Sequence, residues 1–169
     1  LVTPLQMAVV AATLANGGRV YRPFLHARPE GDGPVKPVGT LPFPAADIEL
    51  VRLGMKDVAD KGTGRRILLR QEPPAPGTYR RRSFRLNVDG AGKTGTAEIG
   101  RGETKRKNTW VIAFAPYENP TVALAIIVER GESGGSTVAP RVHSVLASIF
   151  GETETTSARG GSNLLEGRD

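Results

Sequence analysis

The chain has 169 residues, 38% hydrophobic and 24% charged with a net charge of +6, which suits one globular core and leaves too little for two comfortable domains. Its 21 glycines and 13 prolines exclude a fold dominated by helices. Cysteine is absent and the only histidines, His26 and His143, are far apart in sequence, which argues against a disulfide framework and against a zinc site.

Thr3-Pro4 supplies an N-cap and a first helical residue, and Leu5, Ala8, Val9, Ala12 and Ala15 recur at helical spacing up to Asn16-Gly17-Gly18. The six prolines between residues 19 and 46 are too many for a helix or a central strand, so this reads as an irregular crossing segment, extended at most over Val20 to Leu25. Asp47 looks like the N-cap of a second helix, whose apolar stripe of Ile48, Val51, Met55, Val58 and Ala59 ends at Gly62-Thr63-Gly64. Residues 65 to 89 mix prolines with seven arginines and show no usable periodicity. They read as an insertion-like loop with room for a short strand.

Three strands are expected at residues 91 to 98, 109 to 115 and 121 to 129, the last two rich in β-branched or aromatic residues. The turn Pro116 to Pro120 favours direct pairing of the second and third, so an antiparallel meander is predicted. After the Gly131 to Gly135 loop, Pro140, Val142, Val145, Leu146, Ile149 and Phe150 outline a final amphipathic helix. Residues 153–169 offer little apolar surface beyond Leu164-Leu165 and are expected to be a disordered tail. The fold class is therefore α/β of the α+β kind. An antiparallel sheet of at least three strands has the last helix on one face and residues 3 to 64 on the other.

The basic excess lies in Arg80-Arg81-Arg82 with Arg85, and in Arg101 to Lys107, both expected in loops. Such charge would suit an anionic partner, although a basic solvated surface is the plainer reading. No run approaches the ~18 apolar residues of a membrane span, and no signal peptide precedes Leu1. The opening on a helical pattern without Met suggests a piece cut from something larger, with any anchor outside it.

The segment richest in chemistry is Gly90-Ala91-Gly92-Lys93-Thr94-Gly95-Thr96-Ala97-Glu98. A phosphate-binding loop would need glycine where Asn87 stands and a helix after Thr94, where Gly95 and Gly100 oppose one. No hydrophobic strand ending in Asp follows, since Val122 to Val128 ends at Glu129. Nucleic acid and nucleotide ligands are accordingly not expected.

The same segment resembles the Lys-Thr-Gly element of serine acyl-transfer enzymes, and its surroundings resemble the penicillin-binding proteins. Val2 to Ala8 with Leu14 to Gly18 is similar to the helix after that family's Ser-x-Asn motif. Lys93 to Glu98 and Trp110 to Pro116 are similar to its third and fourth strands. Ala123 to Glu129, Gly134-Gly135 and Ala139-Pro140 are similar to its fifth strand and final helix. Thr96-Ala97-Glu98 and the Trp110 strand look more like the class B, monofunctional members than like β-lactamases. Trp110 itself reads mainly as core packing.

The resemblance implies a partial penicillin-binding protein/β-lactamase-like transpeptidase fold, corresponding to the C-terminal part of that domain in residues 1–152. It implies a parent that cross-links peptidoglycan by D,D-transpeptidation and is acylated by penicillin. Lys93 would supply charge and proton contacts near the nucleophile, and the Thr94 and Thr96 hydroxyls would bind the carboxylate of a D-Ala-D-Ala stem peptide. Gly95 would let the peptide backbone approach, and the Thr96 amide would be an oxyanion donor. No cofactor or metal is implied. The expected partners are the stem peptide, β-lactams, the missing N-terminal part of the same domain, and a second copy through an exposed edge and apolar face of the strand at 121 to 129. The expected location is the periplasmic face of the inner membrane, anchored by a segment absent from the chain.

One requirement is unmet. None of the seven serines has lysine three residues later, and there is no Ser-x-Asn triplet. Without nucleophile and base no acyl-enzyme forms, so the chain alone is predicted to be inactive. A non-catalytic relative that binds peptidoglycan or a partner protein is the alternative.

Overall fold

Thr3 starts the first helix because its hydroxyl accepts from the Gln6 amide at 3.2 Å while the Gln6 side chain accepts from the Thr3 amide at 2.8 Å. This reciprocal cap opens α1, Pro4–Ala15. The structure, a computed structural model, describes residues 2–26, 33–79, 81–102 and 105–155. Strands β1 (Arg19–Val20) and β2 (Gly39–Thr40) form a small antiparallel ribbon in the proline-rich crossing, so of the extension expected over Val20 to Leu25 only Val20 is in a strand. Helix α2, Ala45–Asp60, begins two residues before Asp47, with Pro44 as its N-cap. Asp47 is thus a first-turn acid facing the positive end of the helix dipole, and not the cap.

The main sheet is the expected antiparallel meander, in the order β5 (Ala91–Ile99), β6 (Arg106–Ala115), β7 (Val122–Glu129). Strand β6 is buried on both faces, and its side chains alternate between two cores. Val111, Ala113 and Ala115 pack with Val138, Val142 and Leu146 of the C-terminal segment. Ile112 and Phe114 pack with Ala11, Ala15 and Met55 of the first two helices. Helix α3, Ala139–Phe150, follows a single π-helical turn at Gly134–Val138. Helices therefore cover both faces of one antiparallel sheet, as the sequence pattern indicated. Arg52 of α2 ties its helix to the β6–β7 turn by donating to the Tyr117 carbonyl at 2.8 Å and lying 5.1 Å from the Tyr117 ring centre.

The stretch expected as an insertion-like loop is more regular than the sequence suggests. A 3-10 turn, Arg65–Ile67, leads into β3 (Leu69–Gln71), and β4 (Ser83–Leu86) pairs with it. The expected disordered tail begins instead with β8, Glu152–Thr155, on the far side of β4; residues 156–169 lie outside the described residues. This second sheet, β3–β4–β8, is joined by ion pairs as much as by its ladder. Arg70 binds Glu152 at 2.5 Å, Arg82 binds Glu154 at 2.7 Å, and both guanidiniums lie over the Phe84 ring. Arg85 and Arg106-Lys107, expected in loops, are on β4 and β6.

His143 joins this sheet to the core from a fully buried position on α3. Its Nδ1 lies 3.1 Å from the Ile67 carbonyl and its Nε2 lies 2.6 Å from Glu152 Oε2, so both ring nitrogens face acceptors. Hydrogen bonds from Arg70 and then from His143 hold the Glu152 carboxyl down at about 2. The hydrogen bonds that Arg70 donates to Glu152 and then to Glu72 raise its own pKa in turn.

The outer edge of β7 has no strand partner among the described residues. Its side chains are nevertheless half-buried from Val122 to Val128, so the sheet does not present the apolar face that was expected there. Exposed apolar surface lies instead on the outside of the helices, at Leu5 and Val10 of α1 and at Leu50, Val51 and Leu53 of α2. Among the described residues no helix is long and apolar enough to cross a membrane.

Candidate functional site

Strand β5 starts inside the protein and emerges from it. Ala91 is fully buried and Gly92 is buried, whereas Lys93 and Thr96 are exposed and Thr94 and Gly95 are half-exposed. The two glycines differ in kind. A Cβ on Gly92 would stand 2.5 Å from Ile67 Cδ1 and 3.0 Å from the Ile112 carbonyl, so packing alone requires glycine there. A Cβ on Gly95 would meet only Trp110 Cβ at 3.6 Å, an ordinary contact, so nothing inside the protein demands that space.

β5 pairs with β6 on one side, with Gly95 opposite Trp110 and Thr96 opposite Thr109. Its other edge has no strand partner among the described residues and borders a groove of about 750 Å³. Thr94, Gly95 and Thr96 form one wall. The opposite wall combines Gly62, Thr63, Arg65 and Arg66 after α2 with Ser133 to Ser136 before α3. Among the described residues no carboxylate lines it, and its two charged lining residues are the arginines.

Three contacts set the shape of this groove. Thr63 and Thr94 share a hydroxyl–hydroxyl hydrogen bond of 2.8 Å across it. Gly134 is wedged against β5, where a Cβ would come within 2.5 Å of the Trp110 carbonyl and 3.0 Å of Gly95 N and O. Gly135 is pressed on the other wall, where a Cβ would fall 2.3 Å from the Thr63 carbonyl. Ser133 closes the turn by accepting from the Ser136 amide at 3.1 Å, and Arg66 donates to the Ser136 carbonyl at 3.3 Å. The Lys93 ammonium folds back along its own strand to donate to the Thr94 carbonyl at 2.6 Å.

The structure thus brings Lys93, Thr94, Gly95 and Thr96 onto one strand, of which Thr94, Gly95 and Thr96 line the groove and Lys93 does not. Sequence reasoning did not identify Thr63, Arg65 and Arg66 as groove residues, nor Ser133 and Ser136. Thr63 sat inside a helix-stop signal and was legible only as punctuation, and Ser133 sat in a glycine-rich loop. Trp110 is half-buried and belongs to neither buried cluster, so it is not the sealed core residue that was expected.

Comparison with known proteins identifies the family of the fold. Residues 1–147 match the penicillin binding protein transpeptidase domain. The peptidoglycan D,D-transpeptidase PbpA of Mycolicibacterium smegmatis is 35% identical over 159 residues, which cover 89% of this chain and 30% of that protein. The peptidoglycan D,D-transpeptidase MrdA of Haemophilus influenzae is 30% identical over 85% of this chain and 23% of its own length. The crystal structure of Pseudomonas aeruginosa PBP2 in complex with WCK 5153 superposes with a TM-score of 0.64 at 31% identity, covering 88% of this chain and 29% of that one.

The chain belongs to the penicillin-binding protein transpeptidase family, and its relatives are of the class B group indicated by its sequence. It spans less than a third of the length of each of these relatives.

Proposed function

We propose that this chain is the substrate-strand part of a serine D,D-transpeptidase that cross-links peptidoglycan peptides at the periplasmic face of the inner membrane. The observation that carries the reading is the edge of β5 that has no strand partner among the described residues, where Thr94, Gly95 and Thr96 border a groove with no carboxylate among its described lining residues. An extended peptide can lie along such an edge as an added strand, with main-chain hydrogen bonds giving affinity and side-chain contacts giving selectivity.

The chemistry follows from position. In a strand, the amide and carbonyl of alternate residues point to the same side. Lys93 reaches the Thr94 carbonyl at 2.6 Å, so the Thr96 amide shares the side that the ammonium reaches. In this reading that amide donates to the oxyanion as it develops on the scissile carbonyl, and Lys93 places positive charge and a proton nearby. The Thr94 and Thr96 hydroxyls hold the substrate's terminal carboxylate, and the space left open at Gly95 admits its backbone. Removing one preorganised oxyanion donor typically slows acyl transfer by ~100-fold or more.

The nucleophile, its base and the Ser-x-Asn element come from outside this chain. The exposed Leu5, Val10, Leu50, Val51 and Leu53 suit cover by that remaining part of the catalytic domain. The unpaired β7 edge leaves a second copy as another occupant of the isolated chain's surface. Light scattering of the isolated chain that shows monomer only, at high concentration, rules the second copy out.

Labelling with a fluorescent penicillin tests the reading. The full-length protein should form a covalent band that prior boiling abolishes, and this chain alone should form none. A labelled band from the chain alone would show that the nucleophile was misassigned. A full-length protein that binds peptidoglycan without being labelled would favour the non-catalytic alternative.

A further inference from the structure

His143 has no role in the peptide reading, yet it is fully buried and both of its ring nitrogens are engaged. An apolar side chain at this point of α3 would be buried without polar cost, whereas an imidazole needs partners. The partners here belong to different parts of the molecule. Nε2 meets Glu152 of β8 at 2.6 Å, and Glu152 accepts in turn from Arg70 of β3 at 2.5 Å. Nδ1 lies 3.1 Å from the carbonyl of Ile67, the last residue of the 3-10 turn Arg65–Ile67. A carbonyl accepts and does not donate, so Nδ1 carries the proton in this contact.

The residues just before Ile67 form one wall of the groove, namely Gly62, Thr63, Arg65 and Arg66. Ile67 itself is fully buried, and its Cδ1 fills the space that Gly92 of β5 leaves, where a Cβ would stand only 2.5 Å away. The Ile67 amide donates to the Gly64 carbonyl at 2.7 Å, and the Gly64 amide donates to the Val58 carbonyl at 3.0 Å. Backbone hydrogen bonds therefore link the end of α2 to Ile67, and His143 grips the carbonyl at the far end of that unit. Within it, Thr63 reaches across the groove to Thr94 at 2.8 Å, and Arg66 donates to the Ser136 carbonyl at 3.3 Å. A shift of the Ile67 carbonyl moves this wall relative to β5.

We propose that His143 is a positioning residue for acyl transfer, fixing the Ile67 carbonyl and with it the wall of Thr63, Arg65 and Arg66 opposite Thr94 to Thr96. The proposal rests on the peptide-groove reading above and adds a residue that touches neither substrate nor reacting atoms. A carboxylate on one ring nitrogen sets the orientation of the imidazole, so the other nitrogen donates in a fixed direction. Glu152 and Arg70 supply that constraint, which makes the small β3–β4–β8 sheet the support of the groove wall. Misplacement by about 1 Å in a site of this kind can slow a reaction by ~100-fold.

Two substitutions separate the ring nitrogens. Asn presents an amide nitrogen near the place of Nδ1 and Gln presents one near that of Nε2. His143→Asn therefore keeps the bond to Ile67 and gives up Glu152, and His143→Gln does the reverse. Penicillin acylation of the full-length protein, measured per labelled site, should be about tenfold slower in His143→Gln than in His143→Asn. Melting should rank the two the other way, because the bond to the charged Glu152 is the stronger one. A role confined to stability would make the rate follow the melting temperature, so equal rates, or a slower His143→Asn, would overturn the proposal. Leu146→Ala opens a cavity beneath α3 without removing either bond, and its folded protein should be acylated at the wild-type rate. A loss of about tenfold there would also count against positioning. Where His143→Gln does not fold, NMR of nitrogen-15-labelled histidine in the wild type decides. The ring signal that His143→Asn lacks should show a proton on Nδ1, and a bare Nδ1 contradicts the proposal. Failure of the peptide-groove reading looks different, because then the wild type itself is not labelled by penicillin and the proposal falls with it.

Discussion

The two sheets of this molecule are built by different means. In β5–β6–β7 the side chains of β6 alternate between two apolar cores, and α1, α2 and α3 close over them. In β3–β4–β8 the strands are three or four residues long, and arginine–carboxylate pairs with a buried histidine bind them together. The first kind of sheet writes its pattern into local sequence, and the second does not. The candidate groove lies where the two meet, with β5 on one side and the turn leading into β3 on the other.

The largest effect should come from the apolar sheet. Phe114 of β6 is fully buried against α1 and α2, so Phe114→Ala should destabilise the protein by about 3–5 kcal/mol in denaturant unfolding. A loss below about 1 kcal/mol would mean that the meander does not depend on its core in the way described.

Glu152→Ala probes the other sheet and should cost less, about 2 kcal/mol, because it leaves the buried His143 and the half-buried Arg70 without their shared acceptor. The same carboxylate makes stability depend on acid. Its pKa falls from 4.5 to about 2 on folding, so its contribution is complete above pH 4.5 and fades as pH drops towards 2. Melting temperatures of wild type and Glu152→Gln measured across that window should converge at the acid end. Parallel curves would remove Glu152 as the source.

Gly134→Ala sharpens the boundary between the regions. The added methyl would collide with Trp110 O and the Gly95 backbone, and overpacking of this kind costs roughly 1–3 kcal/mol. The smallest effect should be that of Arg82→Ala, since the Arg82–Glu154 pair is exposed and surface ion pairs contribute little. A melting shift as large as that of Glu152→Ala would show that the outer pair carries as much of the second sheet as the inner one.

Legibility in the sequence follows the same division. Helix α1 was readable from its Thr3-Pro4 start and Asn16-Gly17-Gly18 stop, and the last two strands of the meander were readable from their β-branched and aromatic residues. Strand β8 was not, because Glu152 to Thr155 are all polar and pair with a strand some seventy residues earlier, as Ser83 with Thr155 shows. No local pattern reports a ladder of that kind. At the site, Lys93 to Thr96 stood out as a motif, whereas Thr63, Arg65 and Arg66 acquire meaning only once the chain has folded them opposite β5.

The most direct test is the rate at which penicillin acylates the full-length protein carrying Thr96→Val, which removes the hydroxyl while keeping the shape and the backbone amide. If that hydroxyl holds a carboxylate, the second-order rate should fall about tenfold or more, the usual consequence of losing a hydrogen bond to a charged group. A rate equal to wild type, in protein that melts normally, would contradict the placement of the substrate along β5.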